Sequence, residues 1–321
     1  MRIAIVGAGL AGLSCADELT GAGHHVVLFD KGRGPGGRMS TRRIKTVLGE
    51  VSVDHGAPYF TVRDSQFRAA VGGWEQQGLV QQWPAGGIDS WVGVPNMNAV
   101  VKNLASRHET HWNTFVQGLA QEGGQWRIAT DTGLHGPFET LIVATPAEQA
   151  VPLLSLHDLA MARTASLAWS KPCWVGAFIF AEALDTTAHF LRDRGPMALA
   201  SCNRIKPQRA DPECWVVHAN TDWSMTHLEA PAAEVAQNLL AALLEALALP
   251  QAAPIEVMAH RWRYARPPEG ACETQWNPSI ALGACGDWQL GPRAECAWLS
   301  GRALARTALK SWRAPVAVLR A

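Results

Sequence analysis

The stretch Arg2-Ile-Ala-Ile-Val-Gly-Ala-Gly-Leu-Ala-Gly12, continued by His25-Val-Val-Leu-Phe-Asp30, decides the fold. Arg2 to Val6 is a short β-branched run that meets Gly7-Ala-Gly-Leu-Ala-Gly12, after which Leu13, Ala16 and Leu19 recur at helical spacing until Gly21 and Gly23. His25 to Phe29 is a second short strand, closed by Asp30. Strand, glycine turn, helix, strand and acid, in that order, open a dinucleotide-binding βαβ unit. Gly7 suits a tight turn, Gly9 close backbone approach to a pyrophosphate, and Gly12 close contact between helix and strand. The helix start offers free amides and a partial positive charge to phosphates. Asp30, 18 residues past Gly12, stands where an acid accepts hydrogen bonds from ribose hydroxyls. The same N-terminal residues, one Arg and then an apolar run, have the form of a signal-peptide start, but the dinucleotide reading accounts for them better.

Outward from this unit, Lys31-Gly-Arg-Gly-Pro-Gly-Gly-Arg-Met-Ser-Thr-Arg-Arg43 is a second glycine-rich segment. Its cation at Arg38 suits a diphosphate that passes over more backbone, which favours FAD over NAD. Asp54-His-Gly-Ala-Pro-Tyr-Phe60 follows, then a helix and Trp-containing loops are expected over 64–94, and an Asn98 cap opening a helix to about Leu104. Runs near 111–120, 125–130 and 138–144, joined by Glu122-Gly-Gly124 and Asp131-Thr-Gly133, predict an antiparallel meander. Beyond Pro146, strands are expected at 173–180, 198–203, 214–218 and 255–264, with a helix over 231–249. Ser279 to Gly286 reads as a buried strand ending at Asp287, and a last helix runs from about Arg293 to Trp312, with Ala297, Gly301, Leu304 and Ala308 on one face suited to close packing on a sheet. Asp287 is placed to hold ribityl hydroxyls. The helix start beyond it would stabilise charge building up at N1 and the C2 carbonyl of a reduced flavin.

Composition narrows the function classes. The 321 residues carry 28 Lys+Arg against 28 Asp+Glu, a net charge of zero, which argues against nucleic-acid or anionic-membrane binding, since both rely on excess positive charge. Hydrophobic residues at 48% with charged residues at 17% describe a globular chain, and its length favours two domains. The most apolar helical stretch, Val235 to Leu249, is broken by Gln237, Asn238 and Glu245, so no membrane span is expected. Seven Cys without a CxxC pair or zinc spacing read as reduced buried thiols of a cytoplasmic protein, with no metal site. No Ser/His/Asp set or carboxylate pair points to hydrolysis.

With Gly7–Gly12, Asp30, Gly36–Arg43, Asp54–Ala57, Leu141-Ile-Val-Ala-Thr-Pro146 and Gly286-Asp287 through Glu295–Gly301 in view, the chain resembles the FAD-dependent amine oxidase superfamily. Gly93-Val-Pro-Asn-Met97 and His260-Arg-Trp-Arg-Tyr-Ala-Arg-Pro267 look most like its renalase-like flavoproteins. The resemblance implies an α/β fold: a glutathione-reductase-type, Rossmann-like FAD-binding domain with an inserted α+β substrate domain like that of p-hydroxybenzoate hydroxylase. Residues 1–62, 92–150 and 268–321 are expected in the FAD domain, and 63–91 and 151–267 in the substrate domain. The implied cofactor contacts include Ala11 and Lys31 beside the first turn, Arg38 and Arg43 flanking the diphosphate with Gly37, and Val116 offering its backbone to adenine. They also include His55, Gly56 and Ala57, the last two along the isoalloxazine, Ala144 and Thr145 at the next strand end, and Gly286, Asp287, Glu295, Ala297 and Trp298. No segment matches the cysteine attachment of covalent monoamine oxidases, so FAD is expected to be bound non-covalently.

For renalase-like proteins the resemblance implies oxidation of dihydronicotinamide isomers of NAD(P), with O2 reduced to hydrogen peroxide. A dihydropyridine nitrogen pushes the hydride out without a protein base. An amine substrate must instead arrive uncharged, usually between aromatic side chains, and the only Tyr are Tyr59 and Tyr264. Among 14 Trp, Trp288 and Trp262 are the best candidates to border flavin or substrate, and His218 is a further pocket candidate. Arg192, Arg194, Arg204 and Arg263 could meet a substrate diphosphate, with solvated surface the default for each. An amine oxidase or desaturase-type dehydrogenase is the second reading, and a flavin-binding scaffold or sensor without turnover the third. A monomer or homodimer is expected.

Overall fold

The computed structural model describes residues 1–209, 212–270, 272 and 274–313, which divide into two compact units. The first holds Met1–Pro35, Asn103–Trp169 and the chain from Pro268. Its six-stranded sheet runs Gln275–Asn277, Leu282–Ala284, Thr140–Val143, Arg2–Val6, His25–Phe29, Glu109–His111. All neighbours are parallel except the first pair. Ile3 to Val6, Val26 to Phe29 and Thr140 to Val143 are buried without alternation, the pattern of strands covered on both faces.

That pattern corrects the meander expected from sequence. Its three strands are Val116–Glu122, Gln125–Thr130 and Gly133–Phe138. Thr140–Val143, expected to end the meander, instead enters the parallel sheet beside Arg2–Val6, with Val6 opposite Val143. Four consecutive buried residues have no wet face to offer a half-exposed hairpin.

Helix Leu10–Gly21 packs on helix Ala294–Arg313. A Cβ on Gly301 would collide with the Ala11 carbonyl and the Ser14 hydroxyl. The last helix therefore meets another helix through Gly301, while Leu304 reaches the sheet at Gly283.

The second unit holds Gly36–Lys102 and Ser170–Pro267, so residues 36–62 and 92–102 pack here. An antiparallel sheet runs Phe190–Arg194, Met197–Cys202, Cys214–Ala219, Lys171–Ile179, Glu256–Arg266. Alternation along Lys171–Ile179 sorts its faces: Trp174 and Phe178 pack with Leu239 and Leu243 of helix Ala232–Ala246, and Val175, Ala177 and Ile179 pack on Val51 and Val53. Those valines belong to the hairpin Arg42–Thr46/Gly49–Val53. Helix Ser65–Gln76 starts at Asp64, whose carboxylate accepts from the Gln66 and Phe67 amides.

Candidate functional site

In the first unit, Gly7 has φ +107°, and a Cβ on it would lie 2.7 Å from the Ala144 carbonyl oxygen. A Cβ on Gly12 would collide with the Gly7 carbonyl and crowd Ala144. Turn, helix and Ala144-Thr145 strand end thus touch through backbone. Gly9 differs: nothing lies within 4 Å of where its Cβ would be. It caps the helix Leu10–Gly21 with no side-chain hydrogen bond and no acid in the first turn, leaving the first-turn amides without a side-chain acceptor at the cap. Asp30 braces the turn, its carboxylate accepting from the Ala8 amide at 2.7 Å and the Gly32 amide at 2.6 Å. The Asp30 and Gly32 carbonyls accept from Thr114 and Asn113, which brings the start of the Val116 strand beside the acid. Ala11 is buried and Lys31 exposed. The Thr145 hydroxyl is buried without a partner.

The C-terminal residues extend the same strand ends. The Gly286 amide donates to Ser300 Oγ at 2.9 Å, Ser300 donates to Gln289 Oε1 at 2.8 Å, and Gln289 Nε2 donates to the Ala284 carbonyl at 2.8 Å. This chain fixes the turn that carries buried Asp287. A Cβ on Gly286 would collide with the Trp288 indole. Trp288 itself is 4% exposed, packs in the core of this unit, and donates to the Thr145 carbonyl at 3.2 Å. Glu295, Ala297 and Trp298 are buried in the first turns of the last helix, where Ser14 donates to the Trp298 carbonyl at 2.9 Å.

In the second unit the segment Asp54–Ala57 is pinned at nearly every polar atom. Asp54, 0% exposed, accepts from Thr41 Oγ1 at 2.7 Å, the Met97 amide at 3.0 Å, Arg209 Nη2 at 2.6 Å and Lys206 Nζ at 3.4 Å. Burial would raise its carboxyl, but the Lys206 and Arg209 cations hold it at about 2. Burial in turn lowers the Lys206 ammonium, which Asp54 opposes. The Gly56 amide donates to the Ser40 carbonyl and Ala57 to the Arg38 carbonyl; a Cβ on Gly56 would collide with the latter.

Two carbonyls of this segment, those of His55 and Gly56, take side-chain donors. Trp262 Nε1 donates to the His55 carbonyl at 2.8 Å, and His218 Nε2 donates to the Gly56 carbonyl at 2.7 Å. A carbonyl can only accept, so the His218 proton sits on Nε2; its Nδ1 is buried without a partner, as is that of His55. Burial lowers His218 to about 4. Burial, then His260 and Arg42, lower His55 to about 4 as well. His260 is lowered by burial and Arg42. His55 stacks on Trp262 at 5.3 Å, and His260 meets Trp262 edge-on at 4.6 Å.

Arg38 lies half-buried beside this segment, with Nη1 3.5 Å from the Ala265 carbonyl oxygen, and Gly37 has φ +51°. Arg43 is exposed and 3.8 Å from Glu50; the cation felt by His55 and His260 is its neighbour Arg42. Successive strand side chains face opposite ways, a distinction invisible until the strand's faces are known. Sequence reasoning also missed Lys206 and Arg209, which lie about 150 residues from Asp54 in the chain.

Residues 78–280 match the family profile of flavin containing amine oxidoreductases, and residues 5–71 match that of an NAD(P)-binding Rossmann-like domain. The chain belongs to the flavin containing amine oxidoreductase family. Mouse renalase is 25% identical over 301 residues, spanning 83% of this chain and 85% of that protein. A putative protoporphyrinogen oxidase from Exiguobacterium sp. 255-15 shares the fold with TM-score 0.72 at 13% identity, over 96% of this chain and 99% of that one. Putrescine oxidase bound to putrescine does so with TM-score 0.67 at 12% identity, over 97% and 99%. This family member is thus a renalase-like, FAD-dependent oxidoreductase with an α/β, Rossmann-like FAD-binding fold. Its first unit fits FAD: space over Gly9, an uncapped helix start, and a Thr145 hydroxyl awaiting a partner. Among the described residues, no helix is long and apolar enough to cross a membrane.

Proposed function

We propose that this flavoprotein oxidises dihydronicotinamide isomers of NAD(P)H to NAD(P)+, with O2 reduced to hydrogen peroxide. The observation that carries the reading is the lack of an available base in the His55–His218–His260–Trp262 group. Asp54 is locked at about 2 by two cations, His55 and His218 sit near 4, and the His218 proton is committed to a carbonyl. Imidazoles this weakly basic are poor proton acceptors at neutral pH. A dihydropyridine needs none, because its ring nitrogen drives the hydride out.

When bound, FAD supplies a hydride acceptor at N5 and passes the electrons on. In this reading Gly7, Gly9, Ala11, Gly12 and the helix start hold the diphosphate, with the Gly37 backbone beside it and Lys31, Arg38 and Arg43 as the cationic flank. Asp30 takes the ribose, the Val116 backbone the adenine, and Ala144, Thr145, Gly286 and Asp287 the ribityl chain. The turn at Glu295, Ala297 and Trp298 stabilises charge at the pyrimidine end, and His55, Gly56 and Ala57 lie along the ring system. The FAD is held without a covalent link. Trp262 and His218 act chiefly by fixing the His55 and Gly56 carbonyls, and Trp288 by closing the Thr145 strand end. The reading extends to a glutathione-reductase-type FAD domain with a p-hydroxybenzoate-hydroxylase-like substrate domain and to a cytoplasmic monomer or homodimer.

The family match favours a second reading, an amine oxidase or desaturase-type dehydrogenase of another small molecule. Anaerobic absorbance titration separates the two. Dihydro-NAD isomers should bleach the yellow protein, with colour returning and peroxide forming when air is admitted; bleaching by primary amines alone would replace the first reading with the second.

A further inference from the structure

We propose that Arg192 is the residue by which the second unit receives a phosphate of its substrate; this rests on the dinucleotide reading above. Arg192 lies on the edge strand Phe190–Arg194. Its Nη2 donates to the Tyr59 hydroxyl at 2.8 Å and to the Gly86 carbonyl at 3.0 Å. Its guanidinium carbon stands 4.8 Å over the Phe190 ring and 5.8 Å from that of Tyr59. Every one of these anchors is neutral. Among the described residues no carboxylate pairs with Arg192, whereas Arg209, Arg204, Arg261 and Arg263 of the same unit are paired with Asp54, Glu213 and Glu229.

The result is a cation held in one orientation by neutral acceptors and aromatic faces, with its Nη1 and Nε hydrogens turned to no protein acceptor. Immobilising an arginine costs side-chain entropy, and a fixed guanidinium fork matches phosphate oxygens. Beside it Trp83 packs 5.4 Å from Phe190 and 6.2 Å from Tyr59. Trp83 is 3% exposed, and its Nε1 is buried without a partner, a second unsatisfied donor in the same aromatic group. Tyr59 also joins the group to the substrate-facing chemistry: it is two residues beyond Ala57, on the segment clamped by Trp262 and His218. Arg192 is therefore the phosphate-reading residue and Tyr59 the residue that positions it.

A dinucleotide offers two phosphate sources, the diphosphate bridge and, in the NADP form, the 2′-phosphate. Calorimetric titration of ADP-ribose and of 2′-phospho-ADP-ribose into the FAD-loaded protein tells them apart without turnover. Arg192→Ala should weaken binding roughly ten- to a hundredfold, the scale of a lost charged hydrogen bond. Equal loss for both probes assigns the diphosphate, and loss for the second alone assigns the 2′-phosphate. Tyr59→Phe, which keeps the ring and removes only the acceptor, should give a smaller loss on the same probe, and Arg192→Lys should restore part of it. Unchanged affinity in Arg192→Ala, or a wild-type holoprotein that binds neither probe, overturns the proposal. If dihydro-NAD isomers fail to bleach the flavin while ADP-ribose binding still depends on Arg192, the substrate reading falls and the phosphate site stands. If they bleach it with the same KM in Arg192→Ala, the reverse holds.

Discussion

The Gly7–Gly12 turn and the Asp54–Ala57 segment both present bare backbone, but different forces hold them. The first is held by contact: Gly7 against Ala144 and Gly12 against Gly7, leaving no volume for a Cβ. The second is held by charge and hydrogen bonds, with Asp54 between Lys206 and Arg209 and the next two carbonyls clamped by Trp262 and His218. A sterically built turn is set by volume and is intolerant of a methyl group. An electrostatically built one depends in addition on pH and on each charged partner, because loss of one partner strands the others in a dry interior.

The largest expected effect follows from that asymmetry. Asp54→Ala leaves Lys206 and Arg209 facing each other without a counter-charge, and loss of one partner of a buried pair costs about 3–5 kcal/mol. Denaturant unfolding of the FAD-free protein measures it. A loss no larger than that of an exposed Asp→Ala change would mean the cluster is not what holds the second segment.

Next in size is the pH dependence. His55 and His218 lie near 4 in the folded protein against an ordinary 6.5, so between those values the unfolded chain binds protons that the folded one refuses. Stability is then complete above pH 6.5, falls as pH drops toward 4, and is flat with respect to these groups below that. Asp54, at about 2 against 3.8, removes further stability only in the lower window between those values. Thermal melts from pH 7.5 to 4.5 should show the first fall. His218→Asn, an uncharged side chain with an amide donor for the Gly56 carbonyl, should flatten it; an equally steep variant would take His218 out of the account.

The two regions also differ in how much the amino-acid sequence discloses. Gly7, Gly9, Gly12 and Asp30 are close in the chain and answer to one local geometry, so residue type and spacing suffice to read them. Periodicity places Thr140–Val143 in the meander, because it describes faces and cannot say which sheet a buried run joins. The clamp on Asp54–Ala57 draws on Lys206, Arg209, His218 and Trp262, residues whose types are ordinary for surface or core and whose meeting depends on the sheet order Cys214–Ala219, Lys171–Ile179, Glu256–Arg266. The Asp54-His-Gly-Ala motif was visible from the start. What supports it was not, since no local pattern links residues about 150 positions apart.

Within the glycine turn itself two substitutions sharpen the contrast. Gly12→Ala inserts a methyl against the Gly7 carbonyl and Ala144, so it should cost roughly 1–3 kcal/mol by overpacking and lose FAD as well. Gly9→Ala meets nothing within 4 Å and has an extended backbone that alanine adopts, so the FAD-free protein should keep its stability within about 0.5 kcal/mol while FAD affinity falls. Parallel melts of the FAD-free variants and equilibrium FAD titration check both halves. A Gly9→Ala protein that takes up FAD as tightly as wild type would mean that the space over Gly9 is not where the diphosphate approaches.

The smallest effect tests whether the second segment needs every clamp. Trp262→Phe keeps an aromatic ring to stack on His55 but removes the N–H that satisfies the His55 carbonyl. One neutral hydrogen bond is worth about 1 kcal/mol, and the smaller ring admits water beside the imidazole. Burial is the main reason His55 is weakly basic, so hydration should move its pKa from about 4 back toward 6.5, a shift readable from its ring protons by NMR. Stability and pKa must change together for the clamp to be structural. A lost kcal/mol with His55 still near 4 would place the dryness of the site in His260 and the hairpin strand of Arg42, and leave Trp262 as packing alone.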